Sequence, residues 1–418
     1  MKSNKLLTLI FVSLFSGAMF ANGLSLNSVG TRALGMGGAF VGLANDASAI
    51  YWNPAGLAGQ KSSALLYYTG IMPFATYKMD AANIDAESNT KLYMAPGFFA
   101  NYTSEKWAFA FGVYVPAGLG TDWNAEDFFG PQAVDNTMLS EIGVISFSPA
   151  VAYQISDKLS IGLALNIYYA MFDLEQPIYD EQLGLFQYTE SSTGTGFGAT
   201  LGLKYQATEK LSIGLSFRTS TKVSMSGDAT NTMFPNIPNV PPMAPGPEKS
   251  TFSRDVTWPM WIAGGFAYKF NDKFTVTFDL QQSFWSEVDK LVAEYDEEYW
   301  KQMLEPTEDN VFEMKWENAL QIRVGGEYLA SKNFGLRFGY YYDPAPAPDE
   351  TVNVLFPSST NNVVTGGMSY YGEKFSVILA AEYLFGQERD IEFNNTNEMP
   401  GVHQMDVFSF SVGFDYKF

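Results

Sequence analysis

The side chains that most often carry catalysis are scarce in this chain. It contains one histidine, His403, and no cysteine among its 418 residues. A hydrolase needs a nucleophile or an acid placed beside a histidine, and no signature serine stands near His403, so we expect a lone solvated histidine. A chain without cysteine has no disulfide and no zinc–thiolate site. The sequence therefore predicts neither an enzyme nor a bound metal or cofactor.

The glycine-rich run GMGGAFVG, residues 35–42, is the other stretch that invites a chemical interpretation. A phosphate-binding loop would need the full G-x-G-x-x-G spacing after a strand, and this run has neither. The formal net charge of −20 also argues against a nucleic-acid partner, because such partners bind basic surfaces. The function has to be sought in what the rest of the chain builds.

The first 21 residues, MKSNKLLTLIFVSLFSGAMFA, have the pattern of a secretory signal peptide. A basic start is followed by an apolar stretch from Leu6 to Phe20 and by small residues, so we expect cleavage after Ala21. The apolar stretch is too short to span a bilayer, and no later stretch stays apolar for the roughly 18 residues that a membrane helix needs. The sequence predicts an exported chain without membrane-spanning helices.

Six repeated turns determine the predicted strand count. Each follows a strand ending near an aromatic residue and contains a lysine in a short polar stretch, as in AYQISDKLSIGLAL and KYQATEKLSIGLSF. Such turns between alternating segments predict short hairpins. Their lysines are Lys106, Lys158, Lys210, Lys273, Lys332 and Lys374. Six hairpins give twelve strands, and one strand before and one after them bring the total to fourteen.

The strands alternate between large apolar and small polar residues. In the last segment Phe410, Val412 and Phe414 share one face, whereas Ser409 and Ser411 share the other. A soluble sandwich would alternate too, with its apolar face inside. The small polar opposite face, the aromatic content of 16% and the export signal favour a barrel wall between lipid and lumen.

We therefore predict an all-β fold, a 14-stranded antiparallel transmembrane β-barrel with an N-terminal plug inside its lumen. The predicted parts are the signal peptide 1–21, the plug 22–63 and the barrel 64–418, located in a bacterial outer membrane. Long outer connections are expected at 72–92, 121–141, 171–196, 219–256, 285–317, 343–363 and 386–405. The apolar spacing in SEVDKLVAEYDEEYWKQMLE predicts an amphipathic helix over the mouth in the fifth connection.

The plug is predicted because a lumen of fourteen strands is too wide for wall side chains to fill. Gly35, Gly37 and Gly38 permit tight turns, and Asn53-Pro54 pins another, since proline fixes φ. In the same segment Tyr51 and Trp52 stand beside Ala55. Arg32 and Asp46 are expected to form a structural ion pair.

The sequence as a whole resembles the FadL/TodX family of outer-membrane transporters for long-chain fatty acids and other hydrophobic compounds. The resemblance is carried by GTRALGMGGAFVGLANDASAIYWNPAGLAG, FGVYVPAGLGTDW, TWPMWIAGGFAYKFNDKFTVTFDLQQSFWSEVDKL and FEMKWENALQIRVGGEYLASKNFGLRFGYYYDPAPAPDE. It implies that ligand is caught among the outer loops, enters a lumenal pocket and leaves sideways at a kink in the third strand, while the plug moves. Asn53, Pro54 and Ala55 match the family's plug motif.

The resemblance also implies residue roles. The third strand would be 107–121, with its kink near Ala110, Phe111 and Gly112, where a strand glycine weakens pairing. Lys315 matches the position at which the family pairs a lysine with the ligand head group. The further ligand contacts expected are Phe111, Trp316 and Met171. A second cation is missing, because Met171 and Asp173 stand at its place, and this favours a neutral hydrophobic ligand.

Three other interpretations of the function remain open at this stage. A general porin would pass polar solutes through an open lumen. A secretion accessory of the PorV type would share the plug but bind exported cargo, and a monoaromatic-hydrocarbon channel would differ in ligand only. For the preferred reading the expected partners are a hydrophobic small molecule and outer-membrane lipid, and the expected oligomeric state is a monomer.

Overall fold

The computed structural model describes residues 23–27, 29–239, 244–393 and 399–418. The predicted signal peptide lies outside the described residues. Within these ranges, no helix has the length and apolar character needed to cross a membrane.

Fourteen antiparallel strands follow one another in chain order around a closed sheet. The first, β1, pairs with the second on one side and with the last on the other, so the sheet closes on itself and the predicted barrel is confirmed. The strands are β1 Ser63–Met79, β2 Tyr93–Ser104, β3 Trp107–Asn124, β4 Thr137–Ser156, β5 Leu159–Asp180, β6 Gly184–Gln206, β7 Leu211–Arg218 with Thr221–Asn231, β8 Lys249–Trp258 with Trp261–Lys269, β9 Phe274–Ser283, β10 Ala319–Ser331, β11 Phe334–Asp343, β12 Asn361–Tyr371, β13 Phe375–Gly386 and β14 Gly401–Lys417.

Short elements fill the plug and the long connections. The α-helices are α1 Thr31–Leu34, α2 Ala49–Trp52, α3 Glu126–Phe129 and α4 Glu298–Leu304. The 3-10 helices are Pro54–Leu57, Asp80–Ala82, Pro131–Ala133, Phe234–Asn236, Trp285–Glu287 and Asp349–Thr351. Small strands lie at Ile84–Glu87, Lys290–Val292, Glu294–Tyr295, Val311–Glu313 and Arg389–Ile391.

Burial along each strand shows which face looks inward. In β5 the exposed residues include Ile161 and Leu165, whereas their chain neighbours Ser160 and Asn166 are buried. In β14 Val412 and Phe414 are exposed and Ser411 is buried. The apolar face therefore points outward and the small polar face points into the lumen, as a barrel wall in lipid requires.

All six predicted lysine turns connect neighbouring strands, as between β2 and β3 or between β12 and β13. At the other end several predicted connections are shorter than expected. The third, predicted at 171–196, consists mostly of strand, because β5 and β6 stay paired from Met171↔Thr193 out to Asp180↔Gly184. The alternation of buried and half-buried residues continues there, and pairing continues with it.

The predicted helix in the fifth connection is wrong over most of its length. Only Glu298–Leu304 is helical, and Lys290–Val292 pairs instead with Val311–Glu313. Leu291, Ala293 and Tyr295 are buried at a period of two, which is the spacing of a strand. The same apolar residues had fitted a helical period, so short apolar runs can satisfy both patterns.

Residues 23–27 and 29–62 form the hatch, which lies inside the barrel. Its backbone is held by side chains from strands all around the wall: Ser160 of β5 donates to the Ala55 carbonyl at 2.9 Å, and Asp279 of β9 accepts from the Val41 N–H at 2.6 Å. On other sides Arg323 of β10 and Thr365 of β12 bond the backbone of Gly37. The small polar inner face of the barrel thus supplies the hydrogen-bonding partners that hold the hatch.

Three hydroxyls join the hatch to the seam where the sheet closes. Thr31 Oγ1 of the hatch lies 2.8 Å from Ser411 Oγ of β14, and Thr69 of β1 donates to the same oxygen at 2.9 Å. One serine therefore contacts the hatch, the first strand and the last strand together.

Candidate functional site

A β-bulge in β3 breaks the regularity of the wall. Tyr114 pairs with Ser146 of β4 and Ala117 pairs with Val144, so Val115 and Pro116 together face one residue, Ile145. The predicted kink near Ala110, Phe111 and Gly112 is misplaced, because these residues pair regularly with both β2 and β4. Proline lacks the N–H that a regular ladder uses, and it is tolerated at such bulges. Pro116, rather than Gly112, marks the position at which β3 becomes irregular.

Beyond this bulge β3 separates from β2. The pairing of the two strands ends at Phe98↔Val113, so residues 93–97 of β2 and the outer half of β3 do not pair with each other. The freed edge of β3 is bonded instead by the first residues of the hatch. Leu26 N donates to the Pro116 carbonyl at 3.0 Å, and Gly118 N donates to the Leu24 carbonyl at 2.9 Å.

A cavity of about 380 Å³ lies at this place. Its wall includes lumen-facing residues of β1, β11, β13 and β14, and the hatch residues 23 and 25–27. It also includes residues that the strand alternation places on the outward face, namely Met94, Gly118, Gly120, Glu141, Gly143, Met171 and Asp173. The cavity therefore passes from the lumen through the gap between β2 and β3 to the lipid side.

The cavity wall divides into an apolar and a polar sector. Apolar side chains come from β14, β1, β3 and β4, with Met405, Ile71, Leu119 and Ile142 as examples. The inward polar sector lies on β11 to β13 and the connection between β11 and β12, and its residues are Tyr341, Asp343, Ser358, Ser359, Asn361 and Glu382. Two further carboxylates, Glu141 of β4 and Asp173 of β5, line the outward side of the cavity. On its inward side the gap in the wall borders the apolar sector, whereas Tyr93 and Glu141 line the gap itself.

A cation lies beneath the polar sector without lining the cavity. Arg323 Nη2 donates to Asn27 Oδ1 at 2.5 Å and to Gln321 Oε1 at 2.6 Å, and its Nη1 donates to the Gly37 carbonyl at 3.2 Å. Its guanidinium carbon lies 4.9 Å from the ring centre of Tyr341. Arg323 is thus committed to holding the hatch, with the Tyr341 ring packed against it.

The residues predicted to contact ligand are scattered. Met171 lines the cavity from its outward side. Phe111 faces outward on β3 and is 43% exposed, so it lies outside the lumen. Lys315 is half-buried in the connection before β10, where its backbone N–H donates to the Asp289 carbonyl at 2.7 Å, and it is not among the residues of the cavity wall. Trp316 is buried with its ring centre 5.1 Å from that of Trp285.

The predicted plug motif is the bonding centre of the hatch. Asn53 Nδ2 donates to the carbonyls of Val41 at 3.0 Å and Leu203 of β6 at 3.1 Å, and its Oδ1 accepts from Ala55 N at 3.2 Å. Pro54 opens the 3-10 helix that this bond caps, a position where the missing N–H of proline costs nothing.

Two of the three predicted turn glycines adopt the conformation that favours glycine. Gly37 and Gly38 have φ of 64°, whereas Gly35 has φ of −63°. A Cβ at Gly35 would make ordinary contacts, 3.4 Å from the Gly367 Cα of β12, so the structure shows no need for glycine there.

The ion pair predicted between Arg32 and Asp46 is wrong. Arg32 bonds Glu327 of β10 at 2.7 Å and Asn45 at 2.5 Å. Asp46 Oδ1 instead accepts from the backbone and the hydroxyl of Ser48, a local bond that a short acidic side chain makes readily. Arg32 thereby ties the hatch to the wall.

The solitary histidine is buried rather than solvated. His403 is 5% exposed on the inward face of β14, its Nε2 donates to the Met399 carbonyl at 2.8 Å, and its ring centre lies 4.7 Å from that of Tyr77. Across the described parts of the chain, no group of three or more metal-ligating side chains converges.

A buried ion pair joins β6 and β8 in the outer part of the barrel. Arg254 of β8 bonds both carboxylate oxygens of Glu190 of β6, and both side chains are almost fully buried, at 1% and 0% exposure. Tyr188 donates to Glu190 at 2.6 Å and meets Tyr295 of the fifth connection at 2.7 Å. The Tyr188–Tyr295 contact thereby attaches the fifth connection to β6 at the outer end of the barrel.

The main residues that sequence reasoning missed are Tyr93, Asp343 and Glu382. Asp343 and Glu382 fall on the inward face by the period of two in β11 and β13. A charged residue on a face of small polar residues was a readable signal in the sequence. Tyr93 has no such signal, because its role depends on where β2 leaves β3.

Comparisons with known proteins agree with this architecture. A sequence model of the family described as outer membrane protein transport protein (OMPP1/FadL/TodX) matches residues 12–418. A long-chain fatty acid transport protein of Escherichia coli is 22% identical over 314 residues, 67% of each chain. A solved FadL homologue of Pseudomonas aeruginosa has a TM-score of 0.78 at 16% identity, covering 95% of this chain and 100% of its own. The toluene transporter TodX of Pseudomonas putida has a TM-score of 0.76 at 17% identity, covering 96% and 100%.

Proposed function

The chain belongs to the OMPP1/FadL/TodX family of outer membrane transport proteins, and from this premise we propose that it carries hydrophobic small molecules into the cell through the lumenal cavity and releases them sideways between β2 and β3. It is a multi-pass protein of the bacterial outer membrane. The observation that carries the proposal is the cavity wall, which joins lumen-facing and outward-facing residues through a gap in the barrel.

Sideways release suits a ligand that water dissolves poorly. An apolar chain loses about 0.8 kcal/mol for each methylene returned to water, so a path from an apolar cavity directly into the bilayer avoids that cost. The cavity of about 380 Å³ falls within the range of small-molecule sites. Transport needs no energy source while the cell consumes the ligand.

The hatch blocks the direct route along the barrel axis. Its backbone is bonded to strands on all sides, among them Asp279 of β9, Ser160 of β5 and Arg323 of β10. At the gap, Leu24 and Leu26 of the hatch bond the freed edge of β3. We infer that these residues shift to widen the gap during release, while the rest of the hatch stays seated and keeps polar solutes out.

The test is to make β3 regular. Deleting Val115 and substituting Pro116→Val removes the extra residue and supplies the missing N–H, so that β3 can stay paired beyond Val113. We expect loss of hydrophobic-probe uptake by cells, with the protein still folded in the membrane as judged by heat-dependent gel mobility. Normal uptake through the repaired wall would refute sideways release.

A further inference from the structure

We propose that the cavity selects ligands whose head group donates hydrogen bonds and carries no negative charge, as a long-chain alcohol or amine does. This inference rests on the proposed uptake function and names the ligand class for the same site. It departs from the carboxylate that a lysine at the site would have suggested.

The first support is the charge on the cavity wall. Its charged side chains among the described residues are Glu141, Asp173, Asp343 and Glu382, and all of them are acidic. Glu141 is bonded by Lys91 at the outward side, whereas Asp343 and Glu382 are buried in the polar sector. A ligand carboxylate placed there would meet like charges in a medium of low polarity, which disfavours its ionised form.

The second support is a pair of buried polar atoms without a bonding partner. Ser358 Oγ and Asn361 Oδ1 lack a hydrogen bond, although the two residues are only 7% and 4% exposed, and both line the cavity. Asn361 Nδ2 already donates to the Ser359 carbonyl at 3.0 Å, so the atom of this side chain without a hydrogen-bond partner is the acceptor Oδ1. An unmet buried acceptor costs about 1–3 kcal/mol, and a donating head group would supply its partner.

The buried cation beside Tyr341 cannot compensate a ligand carboxylate, and Arg389 is engaged with the Ser358 carbonyl and with Asp349. Arg323 lies behind Tyr341, 4.9 Å from its ring centre, and its terminal nitrogens are engaged with Asn27, Gln321 and Gly37. It is not part of the cavity wall. Lys315 is likewise absent from that wall.

The two sectors also give the ligand a direction. The polar sector lies on β11 to β13, and the apolar sector with Ile71, Leu119 and Ile142 lies on β1, β3 and β4, next to the gap. A head group bonded to Asn361 and Glu382 therefore leaves the tail pointing toward the lipid. The ligand is held by its head and exits tail first.

The experiment compares three probes with one chain and different heads: laurylamine, lauryl alcohol and laurate. Binding of each radiolabelled probe to the full protein in lipid nanodiscs is measured after subtracting its partition into protein-free nanodiscs. We expect the amine and the alcohol to bind at least about tenfold more tightly than laurate. Equal or tighter binding of laurate would overturn the inference while leaving the uptake function in place.

Two variants assign the preference to the polar sector. Glu382→Gln keeps the shape and removes the charge, and it should reduce the amine-to-laurate preference several-fold; Asn361→Ala should weaken the alcohol most. Glu388→Gln removes a carboxylate from an exposed position outside the cavity and is the matched control. A ratio that Glu382→Gln and Glu388→Gln change equally would overturn the inference. Retention of none of the three probes would overturn the proposed uptake as well.

Discussion

The phenol oxygen of Tyr93 lies 3.4 Å from Oε1 of Glu141, although Tyr93 stands at an inward position of β2 and Glu141 at an outward position of β4. The side chain of Tyr93 thus crosses the gap between β2 and β3. Lys91 bonds the same carboxylate oxygen and lies 5.6 Å from the centre of the tyrosine ring. One aromatic ring, held at its outer end by a charge pair, stands in the proposed exit.

We expect Tyr93→Ala to increase the uptake of hydrophobic probes several-fold, most for bulky ones, because it removes the ring from the gap. The measurement is the initial rate of uptake by cells with equal amounts of folded protein. Tyr102→Ala, at an exposed position near the opposite end of β2, is the control and should leave the rate unchanged. An unchanged rate in Tyr93→Ala would remove this ring from the exit.

Glu327→Gln should loosen the hatch. The carboxylate bonds Arg32 at 2.7 Å and Arg337 at 2.8 Å, and its loss leaves two buried guanidinium groups without a counter-charge. Breaking such a pair costs about 3–5 kcal/mol, which a shift of the denaturant midpoint in detergent will report. Asp85→Asn, in an exposed pair with Lys78, should change little. A null result for both variants would show that the hatch is held mainly by other contacts.

Substitutions at Asn53 should follow an order set by its hydrogen bonds. Asn53→Ala loses three bonds and should destabilise the protein by about 1–3 kcal/mol for the groups left unmet. Asn53→Asp keeps the acceptor toward Ala55 but turns a second oxygen toward the carbonyls of Val41 and Leu203. The aspartate should therefore be the worse of the two in thermal unfolding. The reverse order would mean that the Nδ2 bonds contribute little.

The pair Arg254–Glu190 allows a double-substitution test of the outer cover. Arg254→Met alone leaves the buried Glu190 without its partner and should release the fifth connection, raising its cleavage by added protease on intact cells. The double variant Arg254→Met, Glu190→Leu replaces the pair by apolar side chains and should restore much of the resistance. If the double variant is cleaved as fast as the single one, the hydrogen bonds between Arg254 and Glu190 hold the fifth connection, and removing the unpaired charge is not enough.

The wall of the barrel was predictable because each strand repeats the same physical requirement. Lipid outside and the hatch inside demand apolar and small residues in alternation, so Ile161 and Ser160 identify their faces without any tertiary information. The lysine turns mark where the alternation restarts. The extent of β5 and β6 beyond the membrane was not predictable in this way, since pairing there depends on which neighbour continues.

The site was predictable only in outline. The family resemblance predicted a kink in the third strand. The glycine at residue 112 suggested the wrong position for it, because the bulge lies at Val115 and Pro116. The partner of Arg32 was sought nearby in the chain, whereas Glu327 lies on β10, almost 300 residues away. The local sequence pattern identifies strands, whereas contacts between segments that are distant in the chain can be seen only in the folded barrel.

The contact of Ser411 with both Thr31 and Thr69 bears on how the molecule is made. The final strand reaches its complete set of hydroxyl bonds only if the N-terminal segment is already in position when the cylinder is sealed. We therefore expect damage to that segment to lower the yield of protein inserted into the membrane.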